Sequence, residues 1–260
     1  MSKVAVITGG SQGLGFALAR CLARDGYIPV LLARTTYILE NAVKSLEAMG
    51  YQADSYVVDI ADENAMSTVA GSIRDRFGTI DVLVNNAGIV HTETLEEMNI
   101  CDIRYDLEVN LFGTILCTRQ FLPMLAEDGK ILFVSSGFGL MGPAGYSVYA
   151  AAKAGVINFA ESIKRELHRR NIGVYVAVPS DIDTPGFRKE LEGLPEWMAV
   201  SKARGKIQSP NAVARAILKK CRGGRFLIFT DAGVRMLHIL NRVLPRRCRD
   251  LILDTMFPRP

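Results

Sequence analysis

The sequence predicts a single-domain α/β fold, a doubly wound parallel sheet with helices on both faces, and three observations carry that expectation. Strand-length apolar runs alternate with helix-length amphipathic runs along residues 3–230. The first apolar run passes directly into a glycine-rich turn and then a helical pattern. The chain has 260 residues, 49% hydrophobic and 22% charged, with no long polar or Pro/Gly-rich linker, enough for one complete core.

Each element has its own signal. Lys3–Thr8 is a β-branched run with no polar side chain before its last position, the mark of a strand buried on both faces. Phe16–Arg24 has helical periodicity. Ile28–Leu32 reads as the second strand, Tyr37–Met49 as a helix ended by Gly50, Ala53–Val58 as the third strand, and Glu63–Phe77 as a helix ended by Gly78. Val82–Asn85 is the fourth strand, Ile103–Leu125 one long helix, Lys130–Ser135 the fifth strand, Val148–Arg170 a helix and Gly173–Val178 the sixth strand. Asn211–Cys221 and Phe226–Phe229 supply a last helix and strand. Ligands of such sheets gather beyond the carboxyl ends of the strands, so the residues following Thr8, Leu32, Val58, Val84, Val134 and Val178 are candidates for a site.

Composition excludes several classes. Net charge is +4 and dispersed over most of the chain, too mild for nucleic acid. Cys21, Cys101, Cys117, Cys221 and Cys248 are odd in number, scattered and without a C-x-x-C pair, which suits reduced thiols in a cytoplasmic protein. His91, His168 and His238 stand apart from one another, so no metal site is expected. The N-terminus lacks the basic and apolar regions of a signal peptide.

Two local patterns carry chemistry. In Gly9-Gly-Ser-Gln-Gly13-Leu-Gly15, glycines let the backbone turn sharply and approach a pyrophosphate set against the N–H groups of the following helix. The spacing, G-x-x-x-G-x-G, differs from the G-x-G-x-x-G fingerprint. Tyr149 and Lys153 are four residues apart on one helix face, thirteen residues after Ser136. An ammonium at Lys153 is expected to lower the phenol pKa of Tyr149, so that the phenol exchanges a proton with an alcohol or ketone near neutral pH.

With Thr8-Gly-Gly-Ser-Gln-Gly-Leu-Gly15, Asn85-Asn-Ala-Gly88, Asn110, Ser136, Tyr149-x-x-x-Lys153 and Pro179 to Thr184 in this order, the chain resembles the classical short-chain dehydrogenase/reductase family over about residues 3–230. The resemblance implies a Rossmann-type fold and an oxidoreductase using NADP(H) or NAD(H). Tyr149 would be its general acid/base, Ser136 a hydrogen-bond donor to the substrate oxygen, and Lys153 the holder of the nicotinamide ribose. Asn110 would position a water in a proton relay to Lys153. Implied cofactor contacts are Gly9, Ser11, Gln12, Gly13, Leu14 and Gly15 in the turn, Asp59 and Ile60 after the third strand, Asn86, Ala87 and Gly88 after the fourth, and Pro179, Ile182 and Thr184 after the sixth. Assembly as a homodimer or homotetramer is implied as well.

At the end of the second strand, Arg34 with Thr35 favours NADP(H), since a guanidinium pairs with a 2′-phosphate where an acidic residue would repel it. After the sixth strand, Pro179-Ser180 replaces the family's usual Pro-Gly, and Asp181-Ile-Asp183-Thr-Pro-Gly-Phe187 is similar to the string in 3-ketodihydrosphingosine reductases. That likeness implies a lipid ketone, the 3-keto group of a sphingoid base. A reductase of 3-oxoacyl thioesters, steroids or small ketones remains the alternative, as does a non-catalytic NADPH-binding protein. Residues 185–210, with Leu191, Leu194, Pro195, Trp197 and Met198, are expected to form a lid. In the tail, residues 231–260, Val234–Leu244 and Leu251–Phe257 are amphipathic runs beside Arg235, Arg242, Arg246, Arg247 and Arg249, fit either for peripheral contact with an anionic membrane surface or for packing on protein.

Overall fold

The computed structural model describes residues 3–195, 197–198 and 207–256. One seven-stranded parallel sheet forms its centre, in the order β3-β2-β1-β4-β5-β6-β7. Its strands are β1 Lys3–Thr8, β2 Tyr27–Ala33, β3 Asp54–Val57, β4 Ile80–Asn85, β5 Leu125–Val134, β6 Gly173–Val178 and β7 Leu227–Phe229. The order reverses between β1 and β4, which pair directly through Ala5–Ile7 and Val82–Val84, and this reversal opens the crevice where such sheets bind ligands.

Side chains alternate across the sheet, so each strand feeds two cores. Val4 and Val6 face a layer with α3 (Glu63–Phe77), α5 (Gly113–Phe121) and α6 (Ser147–Glu166). Ala5 and Ile7 face the other layer, with α1 (Gly13–Arg24), α2 (Thr36–Ala48) and α8 (Pro210–Arg222). Phe121 and Phe133 are wholly buried in the first layer, each worth about 2–3 kcal/mol of apolar transfer. The remaining helices are α4 (Ile100–Leu107), α7 (Pro185–Glu192), α9 (Ala232–Val243) and α10 (Arg246–Met256).

Two expected elements differ. The run expected as one helix from Ile103 to Leu125 is α4, a π-helical turn over Glu108–Phe112, α5 and a 3₁₀ turn over Leu122–Met124. Pro123 cannot donate a helical hydrogen bond, so α5 stops at Phe121 and Leu125 already pairs with Ile80 as the start of β5. The helix expected to reach Arg170 ends at Glu166, followed by a 3₁₀ turn, His168–Arg170, capped by Asn171 at φ 52°. Of the lid, residue 196 and residues 199–206 lie outside the described residues, as does Phe257 of the tail.

Candidate active site

The glycine turn is a backbone cradle. Gly9 and Gly13 have φ of +62° and +58°, a conformation side chains disfavour. A Cβ on Gly15 would stand 2.1 Å from the Gly9 carbonyl oxygen. Asn86 ties the end of β4 to this turn: its Nδ2 donates to the carbonyls of Thr8 at 3.0 Å and Gly9 at 3.1 Å, while its N–H and that of Ala87 donate to Thr8 Oγ1 at 2.9 and 3.0 Å. Thr184 caps α7, its Oγ1 accepting from Phe187 N–H at 3.1 Å, and its methyl side would lie 3.0 Å from a Cβ on Gly13. Thus the segments after β1, β4 and β6 meet at one cleft. Gln12 precedes α1 in extended conformation without a side-chain cap, so the amides at the head of that helix face the turn unclaimed by it. Ser11 is half-buried and Leu14 buried in the same turn.

Arg34 follows β2 on the surface, its Nη1 3.7 Å from Asp59 Oδ2 and its guanidinium 5.6 Å from the Tyr105 ring centroid. Asp59 Oδ1 also accepts from Ala61 N–H at 3.0 Å. Ile60 is buried, packed so closely against Gly113 that a Cβ there would come within 2.8 Å of it. Pro179 is buried and its carbonyl accepts from Gly137 N–H at 3.0 Å, while Ile182 pairs with Gln208 in a short parallel bridge.

The proton-handling residues converge beside this cradle. Ser136 caps the turn after β5, its Oγ accepting from Phe138 N–H at 3.2 Å, which leaves its O–H able to donate. Ser135 Oγ donates to the Lys153 carbonyl at 2.9 Å and pins α6 to the end of β5. Lys153 is 4% exposed, and its Nζ reaches the Val134 carbonyl at 3.3 Å. Gly88 is the wedge between it and Asn110: a Cβ there would lie 2.8 Å from Asn110 Oδ1 and 3.1 Å from Lys153 Nζ. Asn110 sits in the π-helical turn. Its Nδ2 donates to the carbonyls of Ile89 at 2.8 Å and Asp106 at 2.9 Å, and its Oδ1 accepts from Ile89 N–H at 3.2 Å.

The expected fall in the Tyr149 pKa is not what the chain alone produces. Burial pushes the phenol up, Glu190, Asp181 and Asp106 add to that, and a hydrogen bond with Ser136 only partly opposes it. The ammonium that was to lower it stands 5.6 Å from the ring centroid, and burial brings Lys153 itself down to about 8. Desolvation of both groups outweighs their mutual spacing.

Sequence reasoning missed the neighbours of this pair. Tyr146 Oη donates to Glu190 Oε1 at 2.6 Å, its ring stacks 4.6 Å from that of Phe138, and it lies 6.4 Å from the Tyr149 ring. Its place one turn before Tyr149 was a readable signal; Glu190, 44 positions away, gave none. Gly145, at φ +80°, lies against Met198 and Trp197 of the lid. No cluster of potential metal ligands and no disulfide occurs among the described residues.

Residues 3–194 match the short chain dehydrogenase family. The chain belongs to that family. It is 33% identical over 228 residues to 3-dehydrosphinganine reductase TSC10B of Arabidopsis thaliana, covering 85% of this chain and 68% of that one. It is 34% identical over 218 residues to the 3-oxoacyl-[acyl-carrier-protein] reductase FabG of Thermotoga maritima, 83% of this chain and 89% of that one. Among solved structures, a short chain dehydrogenase/reductase from Burkholderia phymatum in complex with NAD superposes with a TM-score of 0.82 at 25% identity, over 93% of this chain and 95% of the other. This short-chain dehydrogenase is therefore an oxidoreductase acting on CH–OH and C=O groups.

Proposed function

We propose that this short-chain dehydrogenase is an NADPH-dependent reductase that turns the ketone of a long-chain substrate, of the sphingoid-base class, into a secondary alcohol. The observation that carries the reading is the meeting of Ser136, Tyr149 and Lys153 beside a glycine cradle that a Cβ at Gly13, Gly15 or Gly88 would obstruct. The cradle fits a dinucleotide, because backbone N–H groups at the head of α1 face a surface from which side chains are excluded. Gly9, Gly13, Gly15, Asn86 and Thr184 would hold it, with Lys153 at the nicotinamide ribose. Bound nicotinamide supplies the hydride.

The chain supplies the rest. As negative charge builds on the carbonyl oxygen, the hydroxyls of Ser136 and Tyr149 donate to it, and Tyr149 gives up its proton to complete the alcohol. A phenol pushed upward by burial is protonated at neutral pH, which is the form reduction requires. Lys153, charged below about 8, then stabilises the phenolate left behind.

Arg34, half-exposed at the end of β2, supports the choice of NADPH. Arg34→Asp is expected to lower the NADPH/NADH ratio in kcat/KM by about tenfold, the discrimination of one charge-assisted pair of about 1.4 kcal/mol. For the substrate, the names of the Arabidopsis and Thermotoga relatives point to sphingoid bases and to 3-oxoacyl thioesters respectively. The 181–187 string and the tail favour the former. The outer face of α9 carries exposed Met236, Ile239 and Val243 beside Arg235 and Arg242, a pattern that suits an anionic lipid surface. No described helix is long and apolar enough to cross a membrane. NADPH oxidation measured against 3-keto sphingoid bases, 3-oxoacyl thioesters and short ketones tests the assignment. The highest kcat/KM is expected on the sphingoid base, and a preference for the thioester would replace it with the second reading.

A further inference from the structure

Beneath the catalytic centre lies a charged pair that the proposed chemistry does not yet use. Asp106 is the last buried position of α4, with no exposed surface, one turn before Asn110. Both its oxygens are taken by one residue: His91 Nδ1–H donates to Oδ1 at 2.7 Å and His91 N–H to Oδ2 at 3.3 Å. His91 follows Gly88 by three residues, so this clamp and the Asn110 amide, bonded to both N–H and C=O of Ile89, fasten residues 88–91 to the helix at two successive turns. Gly88, held between them, is the residue against which Asn110 Oδ1 and Lys153 Nζ both rest.

We propose that Asp106 and His91 are a positioning pair for the reaction: the buried carboxylate provides the negative field in which Lys153 keeps its ammonium, and the imidazole holds that carboxylate ionised and locked to the cofactor loop. This inference rests on the assignment of Lys153 above. A carboxylate in an apolar interior survives only with donors on its oxygens, and the pair supplies them. Burial pushes the Asp106 carboxyl up while the His91 hydrogen bond draws it down. Asp106 is the charge that opposes the desolvation of Lys153. The other ionisable groups around the pair are Asp102 on the same helix, 3.8 Å from His91 Nε2, Tyr149 and Lys153 on α6, and, facing Tyr149 from the far side, Glu190 of α7 and Asp181 after β6.

The test is the pH dependence of two readouts, NADPH affinity by fluorescence titration and kcat/KM for ketone reduction, between pH 6 and 10, with melting curves on every variant. In the unaltered enzyme both should decline on the alkaline side as Lys153 loses its proton. Asp106→Asn removes the charge and keeps the shape; the decline should move to lower pH by about one unit, a tenfold change in the protonation ratio. Asp106→Glu, which keeps the charge, should return it towards its original position. His91→Ala leaves the carboxylate without its donors, favours its neutral form, and should move the decline in the same direction by less. If Asp106→Asn fails to fold, His91→Ala and Asp106→Glu carry the same comparison. An unmoved midpoint in folded Asp106→Asn and His91→Ala, even with lower activity at every pH, overturns the proposal. Failure of the unaltered protein to bind NADPH would overturn the assignment of Lys153 and this inference with it, whereas NADPH binding without ketone reduction would overturn the catalytic reading alone.

Discussion

The two shoulders of the cleft are built from different material. On the side of β1, β2 and β4 its wall is main chain, shaped by what glycine leaves out and stitched by Asn86 and Thr8. On the side of β5, β6 and β7 the wall is side chain, carried by α6, α7 and α9 and joined by single contacts such as Tyr146 to Glu190 and Asn241 to the Leu140 carbonyl. Backbone surfaces tolerate no substitution yet distinguish little beyond a phosphate. Side-chain surfaces do the opposite, which places chemistry and selectivity on the second shoulder.

Three changes would sharpen or break that contrast. Tyr149→Phe should lower kcat by about 10³, roughly 4 kcal/mol of barrier, with NADPH affinity within about twofold. Equal losses in both would mean the second shoulder also holds the nucleotide. Gly15→Ala should cost at least about 2 kcal/mol of stability, because its Cβ would overlap the Gly9 carbonyl, and should abolish NADPH binding; a stable variant that still binds would dissolve the contrast. Met236→Asp with Ile239→Asp, on the outward face of α9, should leave kcat within about twofold for a water-soluble ketone and end co-flotation with anionic vesicles. Flotation unchanged would assign that face to protein packing.

The first shoulder was legible because its signals are local. Lys3–Thr8, Glu63–Phe77 and Gly173–Val178 have the bounds their apolar runs and flanking residues indicate. For the second of these, Asp62 accepts from two N–H groups at the start and Gly78 adopts φ +73° at the end. What stayed hidden is non-local or electrostatic. The π-helical turn keeps the apolar period of a plain helix. Leu125–Gly129 extends β5 through polar residues that pair only once. Tyr146 with Glu190 and His91 with Asp106 are joined across 44 and 15 positions, and the upward push on Tyr149 depends on carboxylates from three separate segments.

The wide turn at Glu108–Phe112 amounts to one more residue than regular winding would use. Deleting a single residue there would tighten the coil and swing everything after it by about 100°, carrying Gly113 off Ile60 and Thr118 off Asn85. Loops around this molecule can gain or lose length, but the span from Asp106 to Thr118 has a fixed residue count, and an indel there would scramble the floor under the reacting groups.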